Sequence, residues 1–172
     1  MQFEGCYTLS LVLSEVDASA FERQIRRVAE RGITFNTLAE EQREQPEWLT
    51  LFCDLENETR KHIDAPRTVE QMRERLAFLK VVPEALFIAK LDGRYVGYTC
   101  LNVAESTKDC LIQGWTGVRP EYRRQGIATA LKMVAALYAR RQGYEKIVTT
   151  PRFTNTASVR TSLRVGFRQL ES

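Results

Sequence analysis

The segment from Leu111 to Gln142 constrains this chain more than any other. An apolar, strand-like run (Leu111 to Val118) leads into Arg119-Pro120-Glu121-Tyr122-Arg123-Arg124-Gln125-Gly126, and an alanine-rich amphipathic stretch leaves it. A glycine lacks the Cβ that would keep a ligand away from the backbone. The first N–H groups of a helix have no partner within the helix, and they lie at the positive end of its dipole. Strand, basic turn and helix start therefore predict an anion site. Gly126 stands alone, so this is not the Gly-x-Gly-x-x-Gly of dinucleotide folds, and no Gly-Lys-Ser/Thr follows as in a P-loop. The plainer alternative is a solvated, arginine-rich turn that caps a helix.

The rest of the chain reads as mixed α and β. Tyr7 to Leu13 alternates with period two and predicts a strand, followed by a helix over about Ala20 to Arg31 that Gly32 ends. Ile33 to Leu38 predicts a strand. Pro46 opens a helix bearing Trp48, Leu49, Phe52 and Leu55, and Thr68 with Gln71 marks the capping box of another that runs to Leu79. Ala85 to Leu91 and Tyr95 to Val103 are strands joined at Asp92-Gly93, a strong hairpin signal. After the basic turn come a helix to Gln142, a strand over Lys146 to Thr150, a helix over Thr156 to Val165 and a last strand opened by Phe167.

With 172 residues, 44% hydrophobic and 27% charged, the chain suits one globular domain. No apolar run approaches a transmembrane helix and the N-terminus is no signal peptide, so no membrane partner and a cytoplasmic location are expected. Cys6, Cys53, Cys100 and Cys110 form no Cys-x-x-Cys pair and read as reduced packing residues. His62 is the only histidine, so no metal site is expected. The net charge of +3 is too small to argue for nucleic acid, and the arginines cluster around one loop rather than along a face. Glu40, Glu41, Glu44 and Glu47 crowd the first half, which suits either a cationic acceptor or a solvated helix face.

Arg123-Arg124-Gln125-Gly126-Ile127-Ala128 resembles the Arg/Gln-x-x-Gly-x-Gly/Ala signature of the GNAT superfamily of N-acetyltransferases, and Val118, Pro120, Tyr122 and Ala130-Leu131-Lys132 extend the match. Asn155-x-x-Ser158-Val159, followed by Val165-Gly166-Phe167, resembles the family's closing segment. The resemblance covers about Ile33 to Phe167. It implies an α/β (α+β) fold: a mostly antiparallel sheet of six to seven strands, flanked by four to five helices and splayed between its fourth and fifth strands. Those two strands are here Cys110 to Val118 and Lys146 to Thr150. It also implies acetyl-coenzyme A as acyl donor, an amine of a small molecule or protein as acceptor, and direct transfer in a ternary complex. The protein would be a monomer or a homodimer.

On the same ground, backbone N–H of Val118, or of a neighbour on that strand, would polarise the acetyl carbonyl. Backbone groups of Arg124, Gln125, Gly126, Ile127, Ala128 and Thr129 would hold the pyrophosphate, with added charge from Arg119, Arg123 and Arg124. Asn155 would hold coenzyme A, or else serve only as a turn or cap residue. Trp115 and Tyr98 line the acceptor pocket or belong to the core.

The catalytic groups stay open. Asp109 and Glu105 are candidate bases acting through water, or else surface residues. Ser162 stands where the family often has a tyrosine general acid, and a serine hydroxyl is a poor proton donor to a thiolate. The family also usually closes its sheet with a strand after Gly-Phe, whereas this sequence stops at Ser172. Residues 1–31 read as a strand-helix extension of a core over 32–172, similar to the tail of a preceding module in a tandem GNAT protein. The strand Tyr7 to Leu13 is expected to fill the vacant place, in its own chain or exchanged with a second copy. Loss of the tyrosine and of the last strand leaves a second reading open, a non-catalytic acyl-CoA-binding module.

Overall fold

The computed structural model describes residues 8–60, 65–104, 107–152 and 154–170; Cys6, Tyr7, His62 and Glu105 lie outside them. The elements are β1 (Leu9–Val12), α1 (Ala18–Ala29), β2 (Ile33–Thr37), α2 (Leu38–Glu44), α3 (Trp48–Thr59), α4 (Val69–Phe78) and β3 (Leu86–Leu91). They continue with β4 (Arg94–Val103), β5 (Cys110–Val118), α5 (Ile127–Arg141), β6 (Lys146–Thr149), α6 (Thr156–Val165) and β7 (Arg168–Gln169).

The seven strands form one sheet in the order β2-β3-β4-β5-β6-β1-β7, and every neighbouring pair is antiparallel except β5–β6. The α/β class, the mostly antiparallel sheet and the hairpin at Asp92-Gly93 agree with the expectation. Both hairpin residues have positive φ (49° and 79°), as a two-residue turn between twisted strands requires.

Along β3 the side chains alternate between two cores, as a strand must. Phe87 and Ala89 join Leu11, Val28, Leu111, Leu131 and Ile147 beneath α1 and α5. Leu86 and Ile88 join Leu38, Phe52, Leu55, Met72 and Tyr98 beneath α3 and α4. Cys53, Cys100 and Cys110 are free and buried.

Two features differ from the sequence reading. Among the described residues there are six α-helices where about four to five were expected, and the extra one is α2. Thr37 and Glu40 build a reciprocal capping box: Thr37 Oγ1 accepts from the Glu40 N–H at 3.2 Å and Glu40 Oε2 accepts from the Thr37 N–H at 2.6 Å. Glu41, read from sequence as serving either a cationic acceptor or a solvated helix face, is fully buried. Its carboxylate accepts from Lys90 Nζ (2.8 Å), Tyr95 Oη (2.5 Å) and Asn36 Nδ2 (2.8 Å), the pairing that a buried charge demands.

The first strand fills the vacant place in its own chain. β1 lies between β6 and β7, with Leu9 opposite Thr149 on one side and Gln169 on the other. Helix α1, capped by Asp17 Oδ1 accepting from the Ala20 N–H at 3.0 Å, then carries the chain back across α5 to β2.

Candidate functional site

β5 and β6 pair only at Cys110–Lys146, Leu111–Ile147 and Ile112–Val148. From Gln113 to Val118 the strand runs on without β6 beside it, so a gap opens toward its C-terminal end. In that stretch Arg119 N–H donates to Val96 O (2.9 Å), and the alternation of a strand turns the Val118 peptide groups the other way, into the gap. Val118 O accepts from Arg123 Nε at 2.9 Å on that side.

Beyond β5 a 3₁₀ turn (Pro120–Tyr122) leads to Arg124 and Gly126, both with left-handed backbone (φ 59° and 81°). Gly126 occupies the N-cap position of α5, and no side chain caps that helix. The first helical bond is Ala130 N–H to Gly126 O at 2.9 Å. Among the described residues, the N–H groups of Arg124, Gln125, Gly126, Ile127, Ala128 and Thr129 make no hydrogen bond. This run of donors sits at the positive end of a 15-residue helix and can take a polyanion. Around Gly126 an added Cβ would meet nothing nearer than Gln24 Nε2 (3.6 Å), so the backbone there is open to a ligand.

The three arginines of the turn have different tasks. Arg124 is exposed and free to add charge. Arg123 ties the turn to the end of α3, through Val118 O and through Thr59 O at 3.3 Å. Arg119 departs from the expected role. Its side chain is buried beneath the turn, where Nε donates to Tyr95 O (2.7 Å) and the guanidinium pairs with Glu58. The Arg119 guanidinium at its carboxylate holds the Glu58 carboxyl below the usual range. Arg31, at the end of α1, was missed by sequence reading; its guanidinium donates to Gln125 O and fastens the turn to the N-terminal extension. No local pattern signals that contact, because 94 residues separate the partners.

Of the candidate proton-handling groups, the two among the described residues, Asp109 and Ser162, are not brought to the gap. Asp109 is exposed at the closed end of the β5–β6 pair, where its carbonyl accepts from the N–H groups of Glu145 (2.9 Å) and Lys146 (3.3 Å). Ser162 is fully buried between α6 and α5, and its Oγ accepts from Lys132 Nζ at 2.9 Å. Lys132 is itself buried, and that desolvation pulls its amine down to about 8. Asn155 serves as the N-cap of α6: Oδ1 accepts from the Ser158 N–H at 3.2 Å, and its exposed amide N–H₂ is left for other partners.

Sequence reading also passed over Gln113, the first residue beyond the paired part of β5. Its Nε2 donates to Thr99 Oγ1 (2.7 Å) and Cys100 O (2.9 Å), while Oε1 is buried with no partner. On the other face of the sheet, Trp115 is 45% exposed and Tyr98 is buried. A Cβ at Gly117 would lie 2.8 Å from Thr59 and from Tyr98, so only glycine lets the end of α3 pack against β5 here.

Residues 38–167 match the sequence profile of the acetyltransferase (GNAT) family. The chain is 28% identical over 132 residues to the aminoglycoside N(6')-acetyltransferase type 1 of Klebsiella aerogenes, an alignment covering 72% of this chain and 82% of that protein. In fold it is similar to a GCN5-related N-acetyltransferase from Sphaerobacter thermophilus (TM-score 0.68, 18% identity, 96% of this chain and 48% of that one). It is similar again to a tandem GNAT protein from the clavulanic acid biosynthesis pathway (TM-score 0.67, 17% identity, 95% of this chain and 50% of that one). The chain thus spans about half the length of these two solved proteins. The profile match takes in the parted strands, the basic turn with its open N–H groups and the helix that follows, and it places this chain in the GNAT family of N-acetyltransferases.

Proposed function

We propose that the protein transfers an acetyl group from acetyl-coenzyme A directly to an amine, with donor and acceptor held together in the gap beside β5. The observation that carries this reading is the run of free N–H groups from Arg124 to Thr129 at the mouth of that gap.

The residues present fit the donor. The turn offers backbone donors and Arg124 to the pyrophosphate, with close approach at Gly126. The parted edge of β5 offers unpaired peptide groups to an extended pantetheine arm, which would lie along it as an added strand does. Val118 N–H faces the gap and would stabilise the oxyanion that develops as the amine attacks the thioester. Gln113 Oε1 can accept one hydrogen bond from a ligand there but cannot take a proton. The extension formed by β1 and α1 belongs to the same working unit, because it completes the sheet and holds the turn through Arg31.

A second reading, an acyl-CoA-binding module without turnover, draws support from the placement of Ser162 and Asp109 away from the gap. Thiol release from acetyl-CoA, measured against a panel of amines, separates the two. Amine-dependent release supports transfer. Tight acetyl-CoA binding with no release above hydrolysis supports the binding module.

A further inference from the structure

On the face of the sheet opposite α5, three guanidinium groups converge on one carboxylate. Glu56 of α3 is buried, and its oxygens are taken by Arg60 Nη1 (3.1 Å) and Arg67 Nη1 (2.6 Å). Arg75 of α4 arrives third. Its Nε stands 3.7 Å from Glu56 Oε1, beyond hydrogen-bond reach, and is buried with no partner. Among the described residues the cluster therefore carries two positive charges more than its carboxylate balances. The neighbouring Tyr98 hydroxyl adds no anion, because burial, with Glu56 beside it, raises its pKa.

Hydrogen bonding to Glu56 does not account for Arg75. Two arginines already hydrogen-bond to Glu56, and a third cation beside Arg67 adds repulsion. Burial and the Arg67 charge both push the Arg75 guanidinium pKa down. Yet its Cζ stands 3.9 Å from the centre of the Trp115 ring, a cation–π contact that holds the guanidinium over the indole. Trp115 belongs to the part of β5 that has left β6, so the contact stands beside the gap on the face away from the basic turn. A fixed arginine with a buried, unsatisfied donor and a surplus of positive charge around it is suited to an oxyanion.

We propose that the acetyl acceptor is an amine that also carries an oxyanion, a carboxylate or a phosphate, and that Arg75 on Trp115 anchors that group. This rests on the acetyl-transfer reading above. It separates the protein from the polycationic substrates named for its Klebsiella relative, which would meet like charge here.

The test uses the full chain, saturated with coenzyme A, and reads equilibrium binding of N-acetyl-phenylalanine against N-acetyl-phenylalaninamide by calorimetry. The same pair in unacetylated form is run in the thiol-release assay with acetyl-CoA. N-acetyl-O-phosphoethanolamine against N-acetylethanolamine gives the phosphate arm. The acid is expected to bind at least tenfold tighter than its neutral partner in one arm, and that arm names the anion. Arg75→Gln is expected to bring the ratio toward one, and Arg75→Lys to keep part of it. A melting curve on each variant checks the fold.

Equal binding of acid and neutral partner in both arms overturns the proposal. So does an Arg75→Gln variant that melts like the parent and keeps the full ratio. Discrimination in binding without thiol release would leave the anion site standing and remove the acetyl-transfer reading. Release without discrimination would do the reverse.

Discussion

Lys132 Nζ donates to Ser162 Oγ at 2.9 Å, and both side chains are buried, with the ammonium 5.7 Å from the centre of the Phe167 ring. A hydroxyl and a ring face only partly replace water around a cation, so burial lowers the amine from its ordinary 10.5 to about 8. In the folded state Lys132 therefore binds a proton less tightly than in the unfolded chain. Its contribution favours folding above the unfolded value and is lost as pH falls from 10.5 toward 8. At neutral pH this costs about 3 kcal/mol, at 1.36 kcal/mol per pH unit. Lys132→Met is expected to stabilise the protein at pH 7 and to narrow that advantage above pH 9. Urea denaturation of both proteins from pH 7 to 10 checks it; a difference independent of pH would refute the assignment.

Ser162 is fully buried between α6 and α5, with its Oγ engaged by Lys132 Nζ. Ser162→Ala is expected to leave the transfer rate within a few-fold, where loss of a general acid costs ~10²–10⁴. Removing the sole described acceptor of Lys132 should instead lower stability by about 1–3 kcal/mol. A rate loss of a hundredfold with acetyl-CoA affinity intact would make Ser162 catalytic.

Gly126 has a left-handed backbone but open space around it, so alanine there meets strain without a clash. Gly126→Ala is expected to cost about 1 kcal/mol of stability. Gly126→Asp places a carboxylate among the free N–H groups and should abolish acetyl-CoA binding in a folded protein. Isothermal titration decides: unchanged affinity would remove the turn as the phosphate site.

Arg124 and Arg119 are expected to separate affinity from stability. Arg124→Ala should weaken acetyl-CoA by ~1.5–3 kcal/mol, the range for a hydrogen bond to a charged group, and leave melting almost unchanged. Arg119→Ala strands Tyr95 O and leaves Glu58 with Arg94 alone among the described residues, so it should lower the melting temperature more than the affinity. The reverse pattern would return Arg119 to the binding site.

Deleting residues 1–14 removes β1 from between β6 and β7 and exposes an unpaired edge beside a buried core. An insoluble product, or one that unfolds without cooperativity, is expected from circular dichroism melts. A soluble, cooperative truncation would show that β6 and β7 close the sheet without it.

The sequence by itself determined every feature that depends on neighbours within a turn or two. The Thr68/Gln71 box starts α4, Asp92-Gly93 makes the hairpin, and Gly126 before an amphipathic helix makes the open N-terminus. Even the overlooked α2 was written in Thr37 and Glu40. Only the tertiary structure decided the fate of the charges, because a charge settles by partners that packing brings from afar. Glu41 read as either part of an acceptor site or a solvated face, and Lys90 and Tyr95, 49 and 54 residues on, enclosed it instead. Arg119 looked like a ligand-binding residue until Tyr95 O and Glu58 claimed it, and the burial of Lys132 came only when α6 closed over it. The place of β1 was likewise a decision of the sheet: alternation predicts a strand, but the unpaired edges of β6 and β7 choose where it goes.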